Sequence, residues 1–237
     1  MKTKLIDLTK RLIRKKSVTP IDDGAISLLK EKLALLGFKN TELLFESKNH
    51  AKVLNLFSIL KNNSKNNRIL CFAGHTDVVP PGKINAWRYD PFEGKSTKEK
   101  IYGRGASDMK GAIAAWINAC ENVLSKHELN FSLALMITGD EEGVAINGTK
   151  KIVSWLKNKK IKIDHCIVGE PTNPNYIGEM IKIGRRGSLS GKIEITGTQG
   201  HIAYPHLSNN PINTLVDICK KLKKNKLDKG NKNFQPS

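Results

Sequence analysis

Residues 131–143, FSLALMITGDEEG, join an apolar run to three consecutive acidic residues. The length of the apolar run and its lack of interruption favour a buried β-strand. Three adjacent carboxylates at the end of a strand would repel one another unless a cation lay nearby. The segment alone leaves two interpretations open, an exposed acidic turn or a group of acids directed at a metal ion.

Strand and helix patterns alternate on both sides of this segment. Apolar strand patterns recur at 68–79 (RILCFAGHTDVV) and 164–171 (DHCIVGEP), and helical patterns lie at 109–126 and 148–160. Nearly continuous apolar strands that alternate with helices predict an α/β fold with a mixed, largely parallel sheet flanked by helices. The N-terminal part of the chain predicts two helices, at 2–16 and at 23–36 with Asp23 as a candidate N-cap. Two strands are predicted after them, at 41–47 and 52–60.

The pattern changes near residue 180. Residues 180–197, MIKIGRRGSLSGKIEITG, predict a strand, a glycine-rich bend and a second strand, and residues 210–224 predict a helix. We therefore expect a domain boundary near Glu179. The first domain would span residues 1–179, and a smaller α+β domain would begin at 180 and continue to 237.

The sequence is strongly basic, with a formal net charge of +18. The lysines are scattered, and we find no aromatic platform, zinc finger or basic recognition helix, so we expect no nucleic-acid partner. A basic surface could still attract a small polyanionic substrate. No apolar stretch approaches the ~20 residues of a membrane helix, the N-terminus has no signal-peptide core, and the four cysteines form no C-x-x-C pair. We expect a cytoplasmic protein with buried free thiols and no membrane contact.

Acidic and imidazole side chains follow the predicted strands. His75 and Asp77 follow one strand, and Asp108 precedes a helix. Separately, these residues are consistent with a capped turn and an N-cap, and the glycines around Asp108 only weakly resemble a phosphate loop. Together with Glu142 and Glu170, they would meet at one sheet edge, where a divalent cation would neutralise them. Nitrogen and oxygen ligands without cysteine favour a catalytic zinc site.

Several spaced motifs carry a family resemblance over essentially the whole chain. GHTDVVPPG, YGRGASDMKG, DEEG with NGT, and VGEPT together resemble the co-catalytic zinc deacylase and aminopeptidase family. Residues 181–212 are similar to its desuccinylase branch, whose members remove succinate from N-succinyl-LL-2,6-diaminopimelate in lysine biosynthesis. The N-acetylornithine deacetylases share the first four motifs but generally not GRRGS and GHIAYPH, so they are the alternative.

The resemblance implies a zinc-peptidase-like fold with two divalent ions, zinc or cobalt. In that reading His75 and Glu170 bind one ion, Glu142 binds the other, and Asp108 bridges both through a carboxylate next to a cis peptide bond. Asp77 would hydrogen-bond the free ring nitrogen of His75.

Glu141 would act as the general base in the same reading. The resemblance assigns Asp140 no role.

The resemblance makes the second domain a lid and homodimerisation domain. His201 would reach the active site of a partner subunit and stabilise the oxyanion. Arg185 matches the carboxylate-binding position of the family, and an Arg guanidinium suits bidentate carboxylate binding. Arg186 could belong to the same clamp or to a solvated bend, and Lys182 and Tyr204 are further candidates for substrate contact.

The family pattern also includes a metal-binding histidine further along the chain than residue 237. We therefore expect this sequence to be a fragment in which one metal position lacks its terminal imidazole. His206 does not match that ligand by its place in the motif. An inactive fragment that keeps one metal is the alternative to an enzyme, and a nucleic-acid-binding protein rests on charge alone.

Overall fold

The computed structural model describes residues 2–62, 68–185, 187 and 190–236. The chain divides into two compact units, Met1–Thr172 and Asn173–Ser237. The boundary that we expected near Glu179 therefore lies inside the second unit. The assignment of these units to a catalytic part and a lid remains a prediction. Residues 63–67 and the predicted site residue Arg186 lie outside the described residues.

The first unit is built on a five-stranded sheet and a short two-stranded one. In chain order the strands are β1 (Lys39–Ser47), β2 (His50–Leu60), β3 (Ile69–His75), β4 (Lys95–Ser96), β5 (Ile101–Tyr102), β6 (Ser132–Thr138) and β7 (His165–Val168). The large sheet has the order β1-β2-β6-β3-β7, and β4 pairs with β5.

The large sheet is mixed, with most strands running in one direction. β3 pairs in parallel with β6 and β7, while β2 pairs antiparallel with β1 and β6. Only β2 therefore runs against the others. β1 and β2 can be antiparallel because a short turn at Asn49, with φ 64°, joins them. The predicted α/β class with a largely parallel sheet is confirmed.

Helices cover both faces of this sheet. They are α1 (Lys2–Ile13), α2 (Ala25–Leu35), α3 (Gly111–Leu124) and α4 (Thr149–Asn158). Side chains of β6 alternate between two apolar clusters, because successive residues of a strand point to opposite faces. Leu135 packs in the cluster that contains side chains of α1, α2 and α3, whereas Met136 packs in the cluster with Ile152 and Leu156 of α4.

The start of α2 differs from the prediction. The N-cap position is Gly24, with φ 77°, rather than Asp23. The side chain of Asp22 accepts a hydrogen bond from the Ile26 amide at 3.0 Å, and Asp23 accepts one from the Lys16 amide instead. The predicted helix end is confirmed, since Gly37 follows it with φ 84°.

The second unit contains the predicted helix, α5 (Pro211–Lys224), whose N-cap Asn210 accepts from the Ile212 amide. The two predicted strands are absent from the described residues of 180–197, and an isolated bridge joins Thr198 to Asn209. A strand forms only where a neighbouring strand supplies its hydrogen bonds, and those described residues have no such neighbour. Among the described residues of both units, no helix is long and apolar enough to cross a membrane.

Leu135→Ala tests the central packing of the sheet. Leu135 is fully buried, so we expect its truncation to lower the free energy of unfolding by about 2–5 kcal/mol. The matched change Leu35→Ala removes a side chain that is 81% exposed and should have little effect. Urea unfolding followed by circular dichroism measures both, and equal losses would contradict the assigned core.

Candidate metal centre

The sheet register brings the chemically active side chains to one edge. His75 at the end of β3 lies opposite Thr138 at the end of β6, and Ala73 lies opposite Val168 at the end of β7. Because these three strands are parallel, their carboxyl ends face the same side of the sheet. The chain leaves β6 into Glu141 and Glu142 and leaves β7 into Glu170.

His75 is buried, and its main-chain surroundings orient its ring. Its Nδ1 lies 2.9 Å from the carbonyl oxygen of Asp77. A carbonyl can only accept a hydrogen bond, so Nδ1 carries the proton and Nε2 of the neutral ring presents a lone pair. That lone pair faces carboxylates, with Asp108 Oδ1 at 2.9 Å, Glu170 Oε1 at 3.7 Å and Glu141 Oε2 at 3.9 Å.

Negative charge dominates this cluster. Burial opposes a charge on His75, but the Asp77 carbonyl and the carboxylates of Asp77, Glu141 and Asp108 outweigh it and raise the pKa of the imidazole. The pKa of Glu142 is also raised, first by burial and then by Asp108. Excess negative charge beside a buried imidazole lone pair is an environment that a divalent cation stabilises.

Two overlapping groups of side chains have the geometry of metal ligands. Within each group the candidate ligand atoms lie within 4.8 Å of one another. The first group is His75, Asp108 and Glu170, the set that the resemblance assigns to one ion. The second is His75, Glu141 and Glu142. A set of imidazole and carboxylate donors without thiolates fits zinc or another divalent ion in a catalytic site.

Asp108 lies in a kinked turn, Ala106–Lys110, directly before α3, and a hydrogen bond from the Lys110 amide to the Gly105 carbonyl closes this turn. The peptide between Asp108 and Met109 is cis, as the resemblance implies. Asp108 does not cap α3, whose N-cap position is Lys110. A side chain on Gly111 would meet the Ala106 carbonyl oxygen at 2.5 Å, so only glycine allows this close approach.

Lys110 anchors the turn from the protein interior. Its side chain is fully buried, and its Nζ donates a hydrogen bond to the carbonyl of Lys15 at 2.7 Å. Burial lowers the pKa of this amine to about 8. The turn that carries Asp108 is therefore tied to the segment after α1.

Asp77 has a different role from the predicted one. Its carboxylate Oδ1 is 3.7 Å from His75 Nδ1, so the expected side-chain hydrogen bond is not formed. The carboxylate instead accepts hydrogen bonds from the amides of Glu141 at 3.0 Å and Glu142 at 2.9 Å. Burial raises its pKa, and these two amides partly offset that rise. Asp77 therefore orients the imidazole with its carbonyl and the acidic turn with its carboxylate.

Sequence reasoning missed the contribution of Asp140. This residue is buried, and its carboxylate accepts hydrogen bonds from the amides of Ala145 at 3.1 Å and Asn147 at 2.9 Å. The Asn147 side chain in turn bonds Ser47 and the carbonyl of Ala51. Asp140 thus closes the loop after β6 and joins it, through Asn147, to the turn between β1 and β2. No sequence motif marks such a link, because its partners are distant in the chain.

The remaining predicted site residues belong to the second unit. His201 Nδ1 accepts a hydrogen bond from the Ala203 amide, and the His201 ring lies 5.8 Å from the Tyr204 ring. Lys182 and Arg185 are exposed, and Arg186 lies outside the described residues. Their predicted roles in substrate binding and catalysis stay predictions.

Comparison with known proteins gives consistent matches. The model of Peptidase family M20/M25/M40 matches residues 71–233. The succinyl-diaminopimelate desuccinylase of Pelagibacter ubique is 54% identical over 98% of this chain and 60% of its own length. That of Parvibaculum lavamentivorans is 46% identical over 98% of this chain and 58% of its own. The chain therefore spans about 60% of the length of these curated relatives.

Solved structures share the fold. Human carnosine dipeptidase 1 has a TM-score of 0.62 at 22% identity, covering 70% of this chain and 38% of its own. A tripeptidase from Staphylococcus aureus has a TM-score of 0.62 at 17% identity, covering 98% of this chain and 58% of its own. An M20 family metallo-carboxypeptidase from Sulfolobus solfataricus has a TM-score of 0.59 at 28% identity, covering 70% of this chain and 37% of its own.

His75→Ala tests the metal centre. We expect the chain to bind zinc and this substitution to weaken binding by more than about 100-fold, since even the loss of a ligand's supporting partner costs 10–100-fold. His127→Ala, at an exposed position, is the matched control and should leave affinity unchanged. Isothermal titration with zinc measures all three proteins. Equal affinities in all three would contradict the assignment.

Asp140→Ala tests the loop after β6. The buried amide of Asn147 and the partly buried amide of Ala145 would lose their acceptor, so we expect the free energy of unfolding to fall by about 1–3 kcal/mol. Asp90→Ala removes a carboxylate that accepts from the Phe92 amide at an exposed position, and water can replace it there. Urea denaturation compares the two variants, and a larger loss for Asp90→Ala would show that Asp140 does not support the loop.

Proposed function

This chain belongs to the peptidase family M20/M25/M40, and we propose that the protein containing it hydrolyses the amide bond of N-succinyl-LL-2,6-diaminopimelate. The products would be succinate and LL-2,6-diaminopimelate, an amino acid of lysine biosynthesis. The observation that carries the proposal is the position of the partly exposed Glu141 carboxylate, 3.9 Å from the buried Nε2 of His75 in the ligand cluster.

The residues of the cluster have different proposed roles in binding metal and in positioning the ligands. We infer that His75 and Glu170 would hold one divalent ion and that Glu142 would hold a second, with the Asp108 carboxylate available to either. Zinc, or cobalt in its place, would supply a Lewis acid for the amide carbonyl and lower the pKa of a water molecule when bound. Asp77 keeps the imidazole and the acidic turn in place through its carbonyl and its carboxylate.

Glu141 suits proton transfer better than its neighbours do. Its side chain is 38% exposed, whereas Asp140 is only 3% exposed and saturated by backbone amides. A carboxylate at the edge of the cluster can accept a proton from the attacking water and then donate it to the departing amine nitrogen. Glu141 and Glu142 belong to the same candidate ligand group, and the family resemblance assigns Glu142 to the metal.

The proposed substrate class rests on charge and on the relatives. N-succinyl-diaminopimelate carries three carboxylates, and the chain has a formal net charge of +18. The exposed guanidinium of Arg185 could bind one of them in a bidentate manner. The relatives from Pelagibacter ubique and Parvibaculum lavamentivorans are both named succinyl-diaminopimelate desuccinylases. Dimerisation through the second unit, with His201 acting on the partner's substrate, and a cytoplasmic location belong to the same proposal.

The substrate assay uses the longest protein that the gene encodes, loaded with zinc. Succinate release from N-succinyl-LL-2,6-diaminopimelate is the expected result. Acetate release from N-acetylornithine without succinate release would instead identify a deacetylase. Measuring the zinc content of the 237-residue chain tests the ligand assignment separately from activity. Two tightly bound ions per chain would contradict the expectation that one metal position lacks a ligand.

Glu141→Gln should lower kcat by about 10²–10⁴-fold with its zinc content unchanged, because the amide cannot accept the proton. Glu142→Gln should lose zinc as well as activity, because it removes a ligand. Glu128→Gln, at an exposed position, is the matched control and should retain both. Steady-state kinetics with metal analysis separates the three variants, and a normal kcat in Glu141→Gln would exclude it as the base.

A further inference from the structure

Two cysteines lie side by side on neighbouring strands of the sheet, away from the metal centre. Cys71 on β3 and Cys166 on β7 are direct partners in the parallel register. Both line one cavity of about 500 Å³ on the α4 side of the sheet, together with Met136, Leu156 and Lys157. Their thiols therefore lie on the same face of neighbouring strands, close enough for each side chain to shift the pKa of the other.

This placement suits a disulfide bond. Neighbouring strands lie ~4.8 Å apart, which is within the 4.4–6.8 Å that Cα atoms of disulfides span. The two strands need no change of register to bring the sulfur atoms together. Strand spacing holds the Cβ atoms farther apart than the mean of about 3.8 Å in disulfides. The bond would therefore be strained and readily reduced, as in redox-active rather than structural disulfides.

The two thiols are chemically different. Cys71 is buried and Cys166 is exposed. The interaction with the Cys71 side chain lowers the pKa of Cys166 to about 7 against the opposing effect of burial, and the same interaction, together with burial, raises the pKa of Cys71. At neutral pH about half of Cys166 is therefore thiolate, which is the reactive form toward oxidants. Cys71 lies beside it as the second thiol.

We propose that Cys71 and Cys166 form a redox-active dithiol that a peroxide oxidises to a disulfide bond. The Cys166 thiolate attacks one peroxide oxygen, the O–O bond breaks, and a sulfenic acid forms while hydroxide leaves and takes up a proton. The Cys71 sulfur then attacks the Cys166 sulfur, loses its proton and releases water. Two thiols and one hydrogen peroxide give one disulfide and two waters, so the sulfurs supply both electrons.

The two cysteines lie on β3 and β7, the strands that lead into two of the candidate ligands of the first group. Cys71 is four residues before His75, and Cys166 is four residues before Glu170. The disulfide would therefore join the two strands that lead into these candidate ligands. The inference rests on the sheet register and does not depend on the proposed reaction.

Peroxide oxidation of the purified 237-residue chain tests the proposal. After one equivalent of hydrogen peroxide and blocking of free thiols, peptide mapping by mass spectrometry should find the Cys71–Cys166 link. We expect it at least about tenfold above any other cysteine pair, because only suitable geometry allows closure without backbone movement. Dithiothreitol should restore both thiols.

Cys166→Ser and Cys219→Ser are matched variants, since both thiols are exposed. Cys219→Ser should form the link as the unaltered chain does, and Cys166→Ser should form none. Urea unfolding before oxidation checks that both variants are folded. Oxidation of Cys166 to sulfenic or sulfinic acid without linkage to Cys71, or linkage mainly to Cys219 or to a second chain, would overturn the proposal.

Discussion

Parallel pairing of β3 with both β6 and β7 brings three strand ends to one edge, and the acidic cluster exists because of it. The register sets His75 opposite Thr138, so the residues that follow β6 emerge beside the imidazole. Carboxylates gathered in this way around a buried ring repel one another, and their desolvation adds to the cost. A bound divalent ion offsets both effects. The strand pairing that organises the sheet therefore also produces a cluster of carboxylates that a metal ion would stabilise.

The cluster depends on backbone groups as much as on side chains. The Asp77 carbonyl fixes which nitrogen of His75 is free, and the Asp77 carboxylate holds the amides of Glu141 and Glu142. One residue therefore couples the imidazole to the turn that supplies the other candidate ligands. A substitution at Asp77 would remove the carboxylate that holds the acidic turn, whereas the backbone carbonyl that orients His75 would remain.

The sequence predicted those parts of the molecule that depend on local pattern. Apolar runs and helical spacing located the strands and helices of the first unit, and their polar ends identified His75, Asp108 and Glu170. The exact acceptor of a hydrogen bond was not predictable, as Asp22 in place of Asp23 shows for α2. The Asp140 loop was missed because Asn147 links it to residues of β1 and β2 that lie far away in sequence. The strands expected in 180–197 are absent from the residues of that range that the structure describes, because strand formation requires a partner that periodicity does not reveal.

The three adjacent acidic residues after β6 have three different environments, and these differences reduce the repulsion between their carboxylates. Asp140 turns into the protein, where two amides neutralise part of its charge. Glu142 points to the ligand cluster, where burial and Asp108 raise its pKa. Glu141 stays partly exposed beside His75. Because neighbouring residues differ in burial and partners, one can support the loop, one can bind metal and one can exchange a proton with water. The loop therefore directs the three adjacent acids to different surroundings, and they do not form a single patch of negative charge.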